Sequence, residues 1–171
     1  MDAEIFARPG HLINRSARLL VRWGEERFEP LGLAIAQMPV LYALRDGRSL
    51  TQTELASLAR IEQPTMAQLL ARMERGGLIR RTANPEDRRS SLISLTPLAR
   101  RKLPAAGAVL REGNAAAMQG FTEREIAMLC DLLKRVVKNL DPEAESAGPE
   151  RVHLSHDRAR VAKPLRRPVS G

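Results

Sequence analysis

Apolar residues recur at helical spacing from the start of the chain. Leu12, Ile13, Leu19, Leu20, Trp23 and Phe28 predict an amphipathic helix over residues 10–31, with Gly24 as its one interior interruption. Pro30-Leu31-Gly32 is its stop. A shorter helix follows over 37–44, with Pro39 in its opening turn and Asp46-Gly47 at its end. Thr51 and Glu54 then form a capping box, in which each side chain satisfies the other's orphan backbone N–H, and Leu50 and Leu55 flank it as a hydrophobic staple. That signal predicts a helix over 52–60. After the turn Ile61-Glu62-Gln63, Pro64 sits in the first turn of another helix, where a missing N–H costs nothing. Leu69, Leu70 and Met73 carry it to Gly76-Gly77.

Beyond Gly77 the period changes. Residues 78–82 and 91–95 read as two short strands joined by the polar, turn-rich run 83–89, so the pair predicts a β-hairpin. Thr96-Pro97 is an N-cap followed by a helix-compatible proline. A long helix through Leu98, Leu103, Val109 and Leu110 is expected, with a bend near Pro104 or Gly107. A second capping box, Thr122 with Glu125, opens the last helix. Its stripe is Ile126, Leu129, Cys130, Leu133, Val136, Val137 and Leu140, and Asp141-Pro142 ends it. From Glu143 the periodicity is lost, and residues 146–171 are expected to be a disordered basic tail. The fold class is therefore mainly α with a small β-hairpin.

Composition agrees with helix packing: 43% of residues are hydrophobic but only 3% aromatic, so the core must be aliphatic. One cysteine excludes an internal disulfide framework. No apolar run is long enough to span a bilayer, which points to a cytoplasmic protein without membrane contact. The net charge of +8 is concentrated: residues 60–102 hold ten basic and four acidic side chains, and 146–171 hold six and two. Such a block and tail suit a polyanion, although basic runs are also common on solvated surfaces.

Two short helices, a tight turn and an immediate hairpin form the pattern of a winged helix-turn-helix, whose second helix enters the major groove. A helical pair alone also fits ordinary packing. The residue types favour DNA. Met66, Leu69, Leu70 and Met73 share one face of the second helix and must turn inward. The opposite face presents Pro64, Gln68, Ala71 and Arg75, with Thr65 and Arg72 beside it and no acid. Gln pairs bidentately with adenine and Arg with guanine.

The ordered set of motifs resembles the MarR (multiple antibiotic resistance regulator) family over about residues 10–142. It comprises Leu50-Thr51-Gln52-Thr53-Glu54-Leu55-Ala56, Gln63-Pro64-Thr65-Met66, Leu69 through Ile79, the wing Asn84-Pro85-Glu86-Asp87-Arg88-Arg89 and Leu95-Thr96-Pro97. The resemblance implies one MarR-like domain at 1–145, with a winged lobe at about 37–98 and dimerisation helices at 10–32 and 97–142. It implies a homodimeric, ligand-responsive regulator of double-stranded DNA, usually a repressor, acting on a pseudo-palindromic operator. DNA-binding residues would be Gln63, Pro64, Thr65, Gln68, Arg72, Arg75, Asp87, Arg88 and Arg89, with Arg89 in the minor groove and Asp87 holding the wing. A family pocket for a small aromatic or phenolic effector would lie between the dimer helices and the winged lobe. Arg15, Arg18, Trp23, Met38 and Tyr42 could line it, and each also has a core or surface explanation. Two departures stand out: Glu62 holds the recognition-helix N-cap position where Ser is common, and Ala34 replaces the usual polar cap before the second helix.

Enzyme chemistry finds no footing. There is no Ser/His/Asp constellation, P-loop or dinucleotide fingerprint, and no cofactor is implied. His153 and His156 form His-x-x-His without a Cys or an acid pair nearby, so no metal site is expected. Cys130, on an apolar stripe, is expected to be a buried packing residue of low reactivity rather than a redox sensor. The competing reading is an architectural or constitutive DNA-binding protein without an effector.

Overall fold

A computed structural model describes residues 6–141. These fall into two compact units, one ending at Gln119 and one starting at Gly120. The first contains α1 (Pro9–Phe28), 3-10 turns at Glu29–Leu31 and Ile35–Gln37, α2 (Met38–Ala43), α3 (Gln52–Ala59), α4 (Gln63–Arg75), β1 (Ile79–Ala83), β2 (Ser91–Leu95) and α5 (Pro97–Ala117). The second contains α6 (Glu123–Leu140). The boundary expected at residue 145 and the tail at 146–171 lie outside the described residues. No helix among the described residues is long and apolar enough to cross a membrane.

Side-chain caps set several of the helix starts. The Thr51 backbone N–H donates to Glu54 Oε2 at 2.6 Å, and the Glu54 N–H donates to Thr51 Oγ1 at 3.3 Å. Thr122 and Glu125 repeat this at α6, at 2.8 and 3.3 Å. Thr96 does more than cap. Its Oγ1 accepts from the Ala99 N–H at 3.2 Å and donates to the Gly77 carbonyl at 2.6 Å, tying the start of α5 to the end of the winged helix pair. α5 continues through Pro104 as one helix.

Before α2, where Ala34 has no polar side chain, two other groups take over. Gln37 Oε1 accepts from the Ala34 N–H at 3.1 Å, and Glu25 Oε1 on α1 accepts from the Ile35 N–H at 3.1 Å. The chain therefore starts this segment as a 3-10 turn at Ile35, two residues earlier than the helix expected from 37.

The core lies beneath α4. Met66, Leu70 and Met73 are fully buried with Leu41, Leu44 and Leu55. Phe28 from α1 joins the same cluster, as do Ile79, Ile93 and Leu95 from the hairpin. β1 and β2 pair antiparallel in the register Ile79↔Leu95 to Ala83↔Ser91, with β1 shifted one residue from its expected position. Leu50 adds a backbone bridge to the outer side of β2: its N–H donates to the Ile93 carbonyl at 3.1 Å and its carbonyl accepts the Ile93 N–H at 2.8 Å.

One expectation fails in the second unit. Cys130 is exposed, not buried in a core. The apolar stripe on which it lies is open to solvent: Leu133, Val137 and Leu140 are all exposed, Leu140 at 82%. The stripe has its expected helical period, but an apolar stripe need not be covered by its own chain.

Candidate nucleic-acid interface

The winged lobe displays its polar side chains as the patterning requires. With Met66, Leu69, Leu70 and Met73 buried, Gln63, Pro64, Thr65, Gln68, Arg72 and Arg75 are all exposed on α4. The acid at each end of the helix has a distinct role. Glu62 is the N-cap residue, but its side chain makes no capping bond, so its carboxylate is not committed to the helix. Glu74 is paired: its Oε2 accepts from Arg81 Nε on β1 at 3.1 Å, which joins the recognition helix to the wing.

The two helix starts are linked as well. Gln52, the first residue of α3, donates from Nε2 to Gln63 Oε1 at 3.2 Å, and Gln63 is the first residue of α4. Sequence patterning gives Gln52 no site role. Its spacing of eleven residues from Gln63 becomes informative only once both residues are placed at helix starts.

The wing turn is held by its own side chains. Asp87 Oδ1 accepts the Arg89 backbone N–H at 2.9 Å, and the Asp87 carbonyl accepts the Ser90 N–H at 3.0 Å. Asn84 Oδ1 accepts the Glu86 N–H at 3.0 Å, and Asn84 Nδ2 donates to Ser90 Oγ at 2.8 Å. These are Asx-type turns, in which a short polar side chain replaces a missing backbone partner. They leave Arg88 and Arg89 exposed at the tip. On β1, Arg80 Nε donates to Ser94 Oγ of β2 at 3.1 Å.

The family model described as "MarR family" matches residues 31–90, which span α2 to the end of the wing turn. The chain is 40% identical over 92 residues to an uncharacterized HTH-type transcriptional regulator, YwoH, of Bacillus subtilis. That match takes in 54% of this chain and 66% of the relative, just under two thirds of its length. Among solved structures, a mutant of MarR from E. coli complexed with operator DNA superposes with a TM-score of 0.72 at 25% identity, covering 80% of this chain and 99% of that one. A putative MarR-family transcriptional regulator from Listeria monocytogenes complexed with a 26mer DNA gives 0.68 at 29% identity, covering 77% and 87%.

Over residues 31–90 the chain is similar to the MarR family of regulators, and its fold is similar to theirs. Its mostly helical fold with a two-stranded hairpin is the winged helix of these regulators, and the proteins it matches are transcriptional regulators rather than enzymes.

The residues expected around an effector fall in several places of the fold. A cleft of about 220 Å³ opens in the first unit, lined by Leu20, Trp23, Gly24 and Phe28 of α1, by Ile35, and by Val109, Leu110, Gly113 and Asn114 of α5. Of the five residues expected to line an effector pocket, Trp23 lines this cleft. Met38 is drawn into the core beneath α4 and Tyr42 packs against that core. Arg15 and Arg18 stay on the exposed side of α1, where Arg18 Nη1 donates to Asn14 Oδ1 at 2.9 Å. The contribution of α5, some ninety residues from Trp23, carried no local signal. The two helices approach closely at Gly113, where a Cβ would lie 2.8 Å from Trp23 Cζ3.

Proposed function

We propose that this chain is a sequence-specific regulator of transcription that binds double-stranded DNA as a homodimer on a pseudo-palindromic operator. The observation that carries the proposal is the division of α4. Its apolar face is buried, and its exposed face offers Thr65, Gln68, Arg72 and Arg75, while the neighbouring Glu74 is paired with Arg81 of β1. A helix of this kind reaches base edges in the major groove, with Gln68 and Arg72 as base-reading groups and Thr65 on phosphate. Arg88 and Arg89, on a turn stiffened by Asp87, follow the adjacent minor groove. DNA complexes of the two solved relatives support this placement.

Dimer formation is the reading that best accounts for the exposed apolar residues of both units. Leu12, Leu19 and Val21 on α1, and Leu132, Leu133 and Val137 on α6, are all open to solvent. A surface of that kind is hidden most simply by a second copy about a two-fold axis. The apolar cleft beside Trp23 supports response to a small aromatic or phenolic effector. Its volume is below the roughly 300–1,000 Å³ of drug-sized sites and suits a single ring, with Asn114 to bond a hydroxyl. Repression would follow from operator occupancy in the unliganded state.

A binding-site selection with the wild-type chain tests the reading. Two-fold sites with half-sites roughly one helical turn apart are expected. Sites without symmetry, or no enrichment at all, would overturn it.

A further inference from the structure

The bridge between Gln52 and Gln63 assigns a role that neither residue's own position suggests. Gln52 is half-buried and Gln63 is exposed, and each opens a helix of the reading pair. Gln52 Nε2 donates to Gln63 Oε1 at 3.2 Å. That bond takes one of the two lone pairs on the Gln63 oxygen and orients its amide. What remains outward is one lone pair on Oε1 and both N–H groups of Nε2.

Adenine presents the complement of that set in the major groove, an N7 acceptor beside an N6 donor, and a side-chain amide satisfies both at once. The first residues of a recognition helix are the ones that reach base edges. A free glutamine there would turn about its side-chain torsions and lose rotamer entropy on every reading event. Held by Gln52, it is oriented before DNA arrives. We propose that Gln63 reads an adenine in each half-site and that Gln52 is the positioning residue that holds its amide for the task. The proposal rests on the DNA-binding reading above and adds one base and one residue to it.

The test is a binding-site selection on the full-length wild type, Gln63→Ala, Gln52→Met, Gln52→Lys and the double variant Gln52→Met/Gln63→Ala, with thermal midpoints measured alongside. Wild type should enrich adenine at one position per half-site. Gln63→Ala should erase that preference, a loss of roughly tenfold or more in the ratio of adenine to other bases. Gln52→Met, which fills similar space without a donor, should lower the same ratio several-fold while leaving the preferences at other positions intact. Gln52→Lys restores a donor to Gln63 Oε1 and should recover the ratio. The double variant should fall no further than Gln63→Ala alone. A Gln52→Met selection with the wild-type adenine ratio overturns the assignment, as does a loss spread evenly over all positions. Failure of the wild type to select any defined site overturns the regulator reading itself, so the two failures are told apart.

Discussion

Glu25 on α1 accepts the backbone N–H of Ile35 at 3.1 Å, so a carboxylate ten residues upstream supplies the cap that Ala34 lacks. Gly24, next to Glu25, sits so close to Ile35 that a Cβ there would lie 2.9 Å from Cδ1. The end of α1 and the entry to the winged lobe are thus fixed by one hydrogen bond and one close packing contact. Glu25→Ala should leave a part-buried N–H unpaired and lower the unfolding free energy by roughly 1–2 kcal/mol. Glu25→Gln keeps an acceptor and should lose clearly less. Urea midpoints of the two variants check this; equal losses would mean that the bond adds nothing beyond packing.

Gly113 offers a contest of two effects. Replacing a helix-interior glycine by alanine gains up to about 1 kcal/mol in helix propensity. Here the added methyl meets Trp23 at 2.8 Å, and overpacking costs about 1–3 kcal/mol when a rigid ring must shift. Overpacking should win, giving a lower thermal midpoint and a changed emission from Trp23, the chain's one tryptophan. Gly10 is the control, since nothing lies within 4 Å of a Cβ there. Gly10→Ala should be neutral or slightly stabilising.

Local signals are legible in the sequence where a few neighbouring residues decide the outcome. Thr51 with Glu54 and Thr122 with Glu125 announce their helices because a capping box is complete within four residues. The wing turn announces itself through Asn84 and Asp87 for the same reason. The bridge from Leu50 to Ile93 does not, because a single backbone pair leaves no side-chain period. The cap from Glu25 and the packing of Gly113 on Trp23 depend on tertiary approach, which no local pattern encodes. Trp23 lines its cleft with residues of α5 that no local pattern joins to it, because a cleft between α1 and α5 is a product of packing.

At the wing, Asp87 and Arg89 should fail in different ways. Arg89→Ala removes a charge from the tip and should lower the slope of log affinity against log salt by about one. Asp87→Ala leaves that charge in place but frees the Arg89 backbone N–H held at 2.9 Å. It should weaken operator binding by roughly 1 kcal/mol, with the salt slope unchanged. Titrations of one operator at several salt concentrations separate the two. Identical slopes for both variants would remove Arg89 from the phosphate-facing surface.

Glu125 titrates below the ordinary carboxylate range because its ionised form accepts from the Thr122 backbone N–H and then from the Thr122 hydroxyl. A depressed folded value means that ionisation stabilises the helix start above the unfolded value, and that this contribution is lost as pH falls through the lower folded value. Acidification should therefore fray the first turn of α6, whereas Glu125→Gln should be insensitive to the same change. Hydrogen exchange at the first amides of α6 is the readout. A wild-type profile parallel to that of Glu125→Gln down the acid range would show that the capping carboxylate contributes nothing.

Cys130 turns the proposed dimer into a chemical measurement. It lies on the stripe with Ile126, Leu133 and Val137, spaced at three and four residues, and it is exposed in the single chain. If a second copy covers that stripe, the thiol is shielded in the dimer and open in the monomer. A thiol-specific reagent should then label Cys130 faster as the protein is diluted, with the rate following the dissociated fraction. Leu133→Asp places a charge in the proposed interface and should shift the species to monomer in sedimentation, because an unpaired buried charge costs several kcal/mol. The same variant should label at the fast, concentration-independent rate. A wild-type labelling rate unchanged over roughly a hundredfold dilution, with a dimer still present by sedimentation, would place the two-fold contact away from this face of α6.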